Sequence, residues 1–311
     1  MLLDLELDAP AAGAISVGAT LAGFIAFDAP ARTRLVWQLL AAPAIGAAGA
    51  LGALTGEPGV LAALTMAGFA SVAGMSVAAS PRLAVAGLTC VLALLLGQGL
   101  SLSAQQAPEA LLLGAAGVML QALMSLAAWS RDRVAEPIDL PAGARRSWRA
   151  VRANLHPRSP SLHHALRWGT ALGLSVGLYH LVDLGQHGYW VPLTVLFVLR
   201  PEPDQTVERI AMRAAGTVGG LVVATPLAEL IGRYAVADAV AIGIAAAFSF
   251  ALLAIEYALF TAAITAFIIL SAHALGQAAE QAAGERALAT LIGLAIVALA
   301  LVLWDGRRGR S

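Results

Sequence analysis

The sequence predicts an all-α polytopic transmembrane helical bundle, about eleven spans in two parallel pseudo-repeats. Three observations lead there. The 311 residues are 59% hydrophobic and 12% charged, against about 45–50% apolar and about 25% charged in soluble domains, so a soluble fold would have nowhere to bury the surplus. Apolar runs of helix length follow one another along the chain. The 19 basic residues are all arginine, and they gather on alternate breaks between those runs.

A hydrocarbon core about 30 Å thick takes about 20 helical residues at about 1.5 Å each. In the first half such runs cover 12–27, 35–54, 58–79, 83–101 and 108–129. In the second they cover 163–182, 189–200, 207–230, 235–254, 257–273 and 285–304. The run 189–200 is too brief to cross straight unless it is broken or extended at its ends. Ahead of the first run stand Asp4, Glu6 and Asp8 with no base, the wrong polarity for a secretory signal, so the N-terminus is expected to be retained and periplasmic.

Charge near span ends gives the sidedness. Arg32, Arg34, Arg82, the arginines from Arg131 to Arg167, those from Arg200 to Arg213, and Arg307, Arg308 and Arg310 fall on one side, making 17 of the 19 cytoplasmic. The opposite breaks hold Glu57, Glu109, Asp183, Glu229, Asp238, Glu280 and Glu285 with only Arg233 and Arg286. The expected location is the inner membrane, with linker and C-terminus cytoplasmic.

Four regions follow: a first repeat over 1–130, a linker over 131–162, a second repeat over 163–305 and a tail over 306–311. The linker holds prolines 137, 141, 157 and 160 and is rich in arginine; around Arg145 to Arg152 it reads either as an amphipathic helix on anionic headgroups or as a solvated tether that only enforces topology. Displaced by 174 to 176 residues, Thr20 meets Thr194, Asp28 meets Glu202, Gly46 meets Gly220 and Glu109 meets Glu285. Both halves end on the same side, so the repeats are parallel. The first half is one span short and reads as degenerate, a scaffold beside a working second half.

The most distinctive stretch is Gly188-Tyr189-Trp190-Val191-Pro192-Leu193-Thr194-Val195-Leu196-Phe197-Val198-Leu199-Arg200-Pro201, then Thr206-Val207-Glu208-Arg209 and Arg213-Ala214-Ala215-Gly216-Thr217-Val218-Gly219-Gly220. Tyr189 and Trp190 suit a membrane interface, Pro192 bends the backbone, and Gly216, Gly219 and Gly220 give a helix face flat enough for close packing. This stretch resembles the fusaric acid resistance protein-like family of membrane transporters, in which an aromatic pair, a Leu-Thr-Val run, a polar turn and an Arg-x-x-Gly-Thr-x-x-Gly helix follow one another. It is more distantly similar to the plant aluminium-activated malate transporters. The resemblance implies a substrate pathway on Tyr189, Trp190, Thr194, Arg200, Arg209, Arg213 and Thr217, with Leu193, Gly216 and Gly220 as framework. Larger family members resemble two six-helix units around a sizeable cytosolic domain, whereas here the linker is short, and Ile15 and Ser16 stand where a Tyr-Trp pair would be needed in the first half.

Arg213 lies six residues into its run, about 9 Å deep. It either snorkels to water or joins Arg200 and Arg209 in a cationic vestibule that matches carboxylates. Glu256 and Arg82 occupy corresponding turns of the two halves and are candidates for ion coupling. His180, Asp183 and His187 read as loop residues without a complete metal-ligand set, Cys90 as a small core residue, and Gln98, Gln121, His273 and Gln277 as interhelical hydrogen-bonding groups. No lysine, phosphate loop, triad order or paired carboxylates support an enzyme, and nothing suggests a cofactor or a nucleic-acid surface. The expected partners are the lipid bilayer and a small organic acid, and a homo-oligomer is compatible with the sequence. The expected function is ion-gradient-driven export of small, often aromatic, organic acids or related toxic compounds, with a passive organic-anion channel or a non-transporting membrane scaffold as alternatives.

Overall fold

The computed structural model describes residues 18–26, 28–99, 107–129, 143–182, 184, 187–232, 234–253 and 255–305. Its regular elements are helices: α1 (Ala31–Thr55), α2 (Gly59–Gly74) running into a 3₁₀ turn (Met75–Ala78), α3 (Pro81–Gly99), α4 (Ala107–Trp129), α5 (Ala144–Ala153), α6 (Pro160–Leu181), α7 (Trp190–Val198), α8 (Pro203–Ile231), α9 (Ala235–Leu252), α10 (Tyr257–Ala274) and α11 (Ala279–Asp305). A short helical stretch over 18–23 precedes them. Six are long and apolar enough to cross a membrane: α1, α2 with its 3₁₀ turn, α3, α8, α10 and α11. The protein is therefore an all-α multi-pass membrane bundle, as the apolar runs predict.

Prolines set the helix starts. Pro30 and Pro58 precede α1 and α2, while Pro81, Pro160 and Pro203 open α3, α6 and α8, where the missing N–H costs nothing and the fixed φ already suits a helix. Several helices begin earlier than their apolar runs, α1 and α8 by four residues and α11 by six; in α8 and α11 the polar first turns carrying Asp204 and Glu280 are helical although they are not apolar.

Contacts divide the chain into two compact units, 1–181 and 182–311. In the first, α1 packs on α3 and α4, and α2 runs along α6. Helix α6 thus belongs with the first unit, although the sequence repeat groups it with the second. Small residues cause this: a methyl group at Gly169 would strike Ser71 and the Ala67 carbonyl, and one at Gly173 would strike Ala67 and the Ala63 carbonyl, so the two backbones are in direct contact. Interior amide nitrogens find acceptors there, while Gln98 Oε1 is buried without a partner. Gln98 donates to the Thr55 hydroxyl and to the Ala62 carbonyl, at 3.3 and 3.1 Å. Gln38 donates to the Ala22 carbonyl at 3.1 Å and accepts from Ser125 Oγ at 2.9 Å.

In the second unit α8 packs on α10, α9 on α10, and α7 on α11. Its glycine contacts repeat those of the first unit. Gly52 on α1 faces Leu94 and Gly97 on α3, residues 42 and 45 positions further on; Gly216 on α8 faces Ala258 and Thr261 on α10, and Gly220 faces Ala262 and Thr265, with the same two spacings. In both units a glycine-bearing helix therefore lies against, and parallel to, the helix two elements later.

Candidate functional site: a buried guanidinium pair beside a half-length helix

Helix α7 is nine residues long and α8 is 29. Their connection is fixed by Thr206, whose hydroxyl accepts from the Arg200 N–H at 2.9 Å and donates to the Glu202 carbonyl at 3.1 Å. From that turn α7 rises about 13 Å to Trp190, and the same rise along α8 reaches about residue 215. Trp190 therefore lies level with Arg213 and Gly216, near the middle of α8. The short run 189–200 is a half-length helix. Its N-terminal N–H groups point their partial positive charge into the middle of the unit.

Two arginines share that level. Arg213 lies ten residues into α8, about 15 Å from its start, and is 2% exposed. That is deeper than the apolar run implies, because α8 starts at Pro203. Arg286, on α11, is 1% exposed and lies 5.5 Å from the centre of the Trp190 ring, a cation–π arrangement. The two guanidinium groups are close enough to repel. Among the described residues neither has a carboxylate within ion-pair distance, and Arg213 Nε, Arg286 Nε and Arg286 Nη1 are buried without hydrogen-bond partners. The acid next in sequence is engaged elsewhere: Glu285 pairs with His187 at 2.8 Å and accepts from Gln281 at 2.9 Å.

Hydroxyl groups on α8, α10 and α11 are also unused among the described residues. Thr217, Thr261, Thr265, Thr290 and Tyr257 each have a buried hydroxyl without a partner, whereas Thr194 and Ser249 bond their own helices at Trp190 O and Ala245 O. Orphaned donors in a low-dielectric interior are costly, and donors on the same helices as two cations suit an acceptor-rich anion. Below the pair, the Arg209 guanidinium stands 4.0 Å over the Tyr257 ring, and Tyr257 is within electrostatic reach of both Arg200 and Arg286.

Above the pair lies a cavity of about 430 Å³ lined by His187, Gln277, Gln281 and Glu285, with Ala272, Leu275 and Gly276. His187 forms its edge and stacks on Trp190 at 4.3 Å. A column therefore runs from Glu285 through His187 and Trp190 to Arg286.

Of the residues singled out in the sequence, Trp190, Arg213 and Thr217 are buried in this interior, and Tyr189 packs edge-on against Trp190. Thr194 is buried but spends its hydroxyl on its own helix, and it touches Gly293, where any side chain would collide. Arg200 and Arg209 lie at the Tyr257 end. Glu256 caps α10, its carboxylate accepting from Ala258 N at 2.9 Å, while Arg82 opens α3 in the other unit. His180 approaches Glu57 at 3.8 Å; Asp183 lies outside the described residues, and no group of metal-binding side chains occurs among the described ones. Sequence reasoning missed Arg286, which charge counting places in an outer break. The signal that could have found it is Gly293, seven residues or about two turns further along the same face, a packing glycine that fixes α11 against α7.

A model of the fusaric acid resistance protein-like family matches residues 169–300, the stretch that contains every member of this site. An uncharacterized protein of Synechocystis sp. is 36% identical over 152 residues, 48% of this chain and 20% of that protein. The inner membrane protein YccS of Escherichia coli is 30% identical over 158 residues, 51% of this chain and 22% of that protein. An uncharacterized protein of Neisseria gonorrhoeae is 35% identical over 77 residues, 25% of this chain and 18% of that protein. The chain spans about a fifth of the length of these curated relatives. No solved structure matches.

Proposed function

We propose, from the premise that residues 169–300 belong to the fusaric acid resistance protein-like family, that this multi-pass protein exports small organic anions across the inner membrane, with the Arg213–Arg286 pair as the point where the carboxylate is held. The observation that carries the reading is two guanidinium groups, 2% and 1% exposed, without an acid partner among the described residues. A centrally buried arginine costs about 2.5–3.5 kcal/mol or more. An anion that fills the gap offsets that cost for as long as it is bound, which suits a solute that must also leave.

Each group then has a role. Arg213 and Arg286 bind the carboxylate through forked N–H donors. Trp190 offers an indole face beside it, which favours acids with an aromatic ring. Thr217, Thr261 and Tyr257 supply further donors. Arg200 and Arg209 line the approach at the end where α7 and α8 meet, the cytoplasmic side by arginine count, and the His187–Glu285 cavity is the exit. Coupling to an ion gradient is part of the proposal; Glu256 is the weaker coupling candidate because its carboxylate is engaged in capping.

Proteoliposomes loaded with a radiolabelled aromatic carboxylate test it, assayed with and without a pH gradient. Saturable efflux that Arg213→Gln and Arg286→Gln each abolish supports the assignment. Efflux of every acid tried at wild-type rate in both variants removes the pair from the pathway.

A further inference from the structure

Helix α5 is left unused by the transport reading, yet it is the most strongly charged surface described. Arg145, Arg146, Arg149 and Arg152 all lie on it and all are exposed. At about 100° per residue, Arg145, Arg149 and Arg152 fall within about 60° of arc, and Arg146 lies about 60° further round. Trp148 borders the other edge of this sector, about 40° from Arg152, and is 60% exposed. Leu155, just past the helix end, is 51% exposed, and Arg158 is exposed beyond it. The remaining side of α5, at Ser147, Ala150 and Val151, is partly buried where the helix rests on the 3₁₀ turn Met75–Ala78.

Three features select the occupant. No Asp or Glu occurs between Asp139 and Asp183, so the segment does not neutralise its own charge. The supporting 3₁₀ turn ends one of the membrane-spanning helices, Gly59–Ala78, which puts α5 at the height of the headgroups. A large exposed indole and a leucine flank the arginines. A soluble polyanion would use the charge and gain nothing from them, whereas a bilayer interface takes indole and leucine into its acyl boundary and sets guanidinium groups among phosphates. We propose that α5 binds the headgroups of anionic phospholipids, with Trp148 and Leu155 entering the interface beside them. The inference stands independently of the transported substrate.

The test uses the full chain in nanodiscs of phosphatidylcholine doped with a small fraction of either brominated phosphatidylglycerol or brominated phosphatidylcholine. Trp148 quenching is the difference between the wild type and Trp148→Phe. Each basic residue at an anionic surface raises local enrichment about fivefold, so the brominated phosphatidylglycerol is expected to quench at least threefold more than the same fraction of brominated phosphatidylcholine. Replacing Arg145, Arg146, Arg149 and Arg152 together by Gln should bring that ratio to about one, replacing them by Lys should keep it, and about 0.5 M salt should lower it in the unmodified protein. Equal quenching by the two lipids, a ratio that survives the Gln replacement or ignores salt, or no quenching assignable to Trp148 overturns the proposal. If the Gln variant fails to fold, the salt titration and the Lys variant decide.

Discussion

Helix α1 of the first unit and helix α8 of the second share five buried positions. Ala31, Gln38, Ala41, Ile45 and Ala53 correspond to Thr206, Arg213, Gly216, Gly220 and Ala228, each pair 175 residues apart. At the second of these positions the units part. Gln38 is neutral, fully buried and bonded through both ends of its amide to Ala22 and Ser125. Arg213 is buried and has no acid partner among the described residues. One fold thus carries two arrangements at one place: the first unit bonds its polar group internally, and the second leaves its guanidinium without an acid among the described residues. Unsatisfied buried charge that persists against its cost marks where function overrides local stability.

Exchanging the two residue types should break the contrast most sharply. Arg213→Gln is expected to lower transport at least 100-fold while raising the thermal midpoint in detergent, because a buried unpaired cation disappears; a lowered midpoint with transport intact would show that the arginine is structural. The reverse exchange, Gln38→Arg, should destabilise by about 3–5 kcal/mol, since it adds an uncompensated charge and strands Ser125. Scanning calorimetry of the purified variant checks this. Packing should fail alike in both units: Gly52→Val and Gly216→Val, each pushing a side chain into the backbone of the parallel helix, should each cost more than about 1 kcal/mol and lower the midpoint by similar amounts. A large difference between them would show that the two helix seams are not equally tight. The smallest effect is at the α10 cap: Glu256→Ala should cost about 1 kcal/mol and Glu256→Gln less, with the pH dependence of transport unchanged in Glu256→Gln. Loss of that pH dependence would return Glu256 to ion coupling.

The helices were legible because a span is a property of a continuous segment: apolar runs and helices coincide along the described chain, with ends differing by a few residues. The boundary between units was less so. Helix α6 follows the linker and reads as the first member of the second repeat, but its partner is decided by Gly169 and Gly173 meeting Ala63, Ala67 and Ser71, a fit between two distant surfaces that no single run displays. The site was half legible. Arg213 stands inside a distinctive motif and attracts notice; Arg286 follows Glu285 where an apolar run begins, so charge counting assigns it to water. Only the helix start at Ala279 and the short α7 bring it inward beside Trp190. The spare hydroxyl groups were invisible, because a membrane threonine usually bonds its own helix and sequence does not say which ones do not.

The backbone-to-backbone seam between α8 and α10, and the similar one where Gly293 meets Thr194 between α11 and α7, make the second unit two welded pairs of rods. Arg213 rides on one pair and Arg286 on the other. Any shear between the rods therefore changes the spacing of the two positive charges; on the proposed reading their repulsion would push the pairs apart, and an anion held between them would act as mortar. Cargo and hinge would then be the same object, so that the solute itself sets which posture the bundle holds.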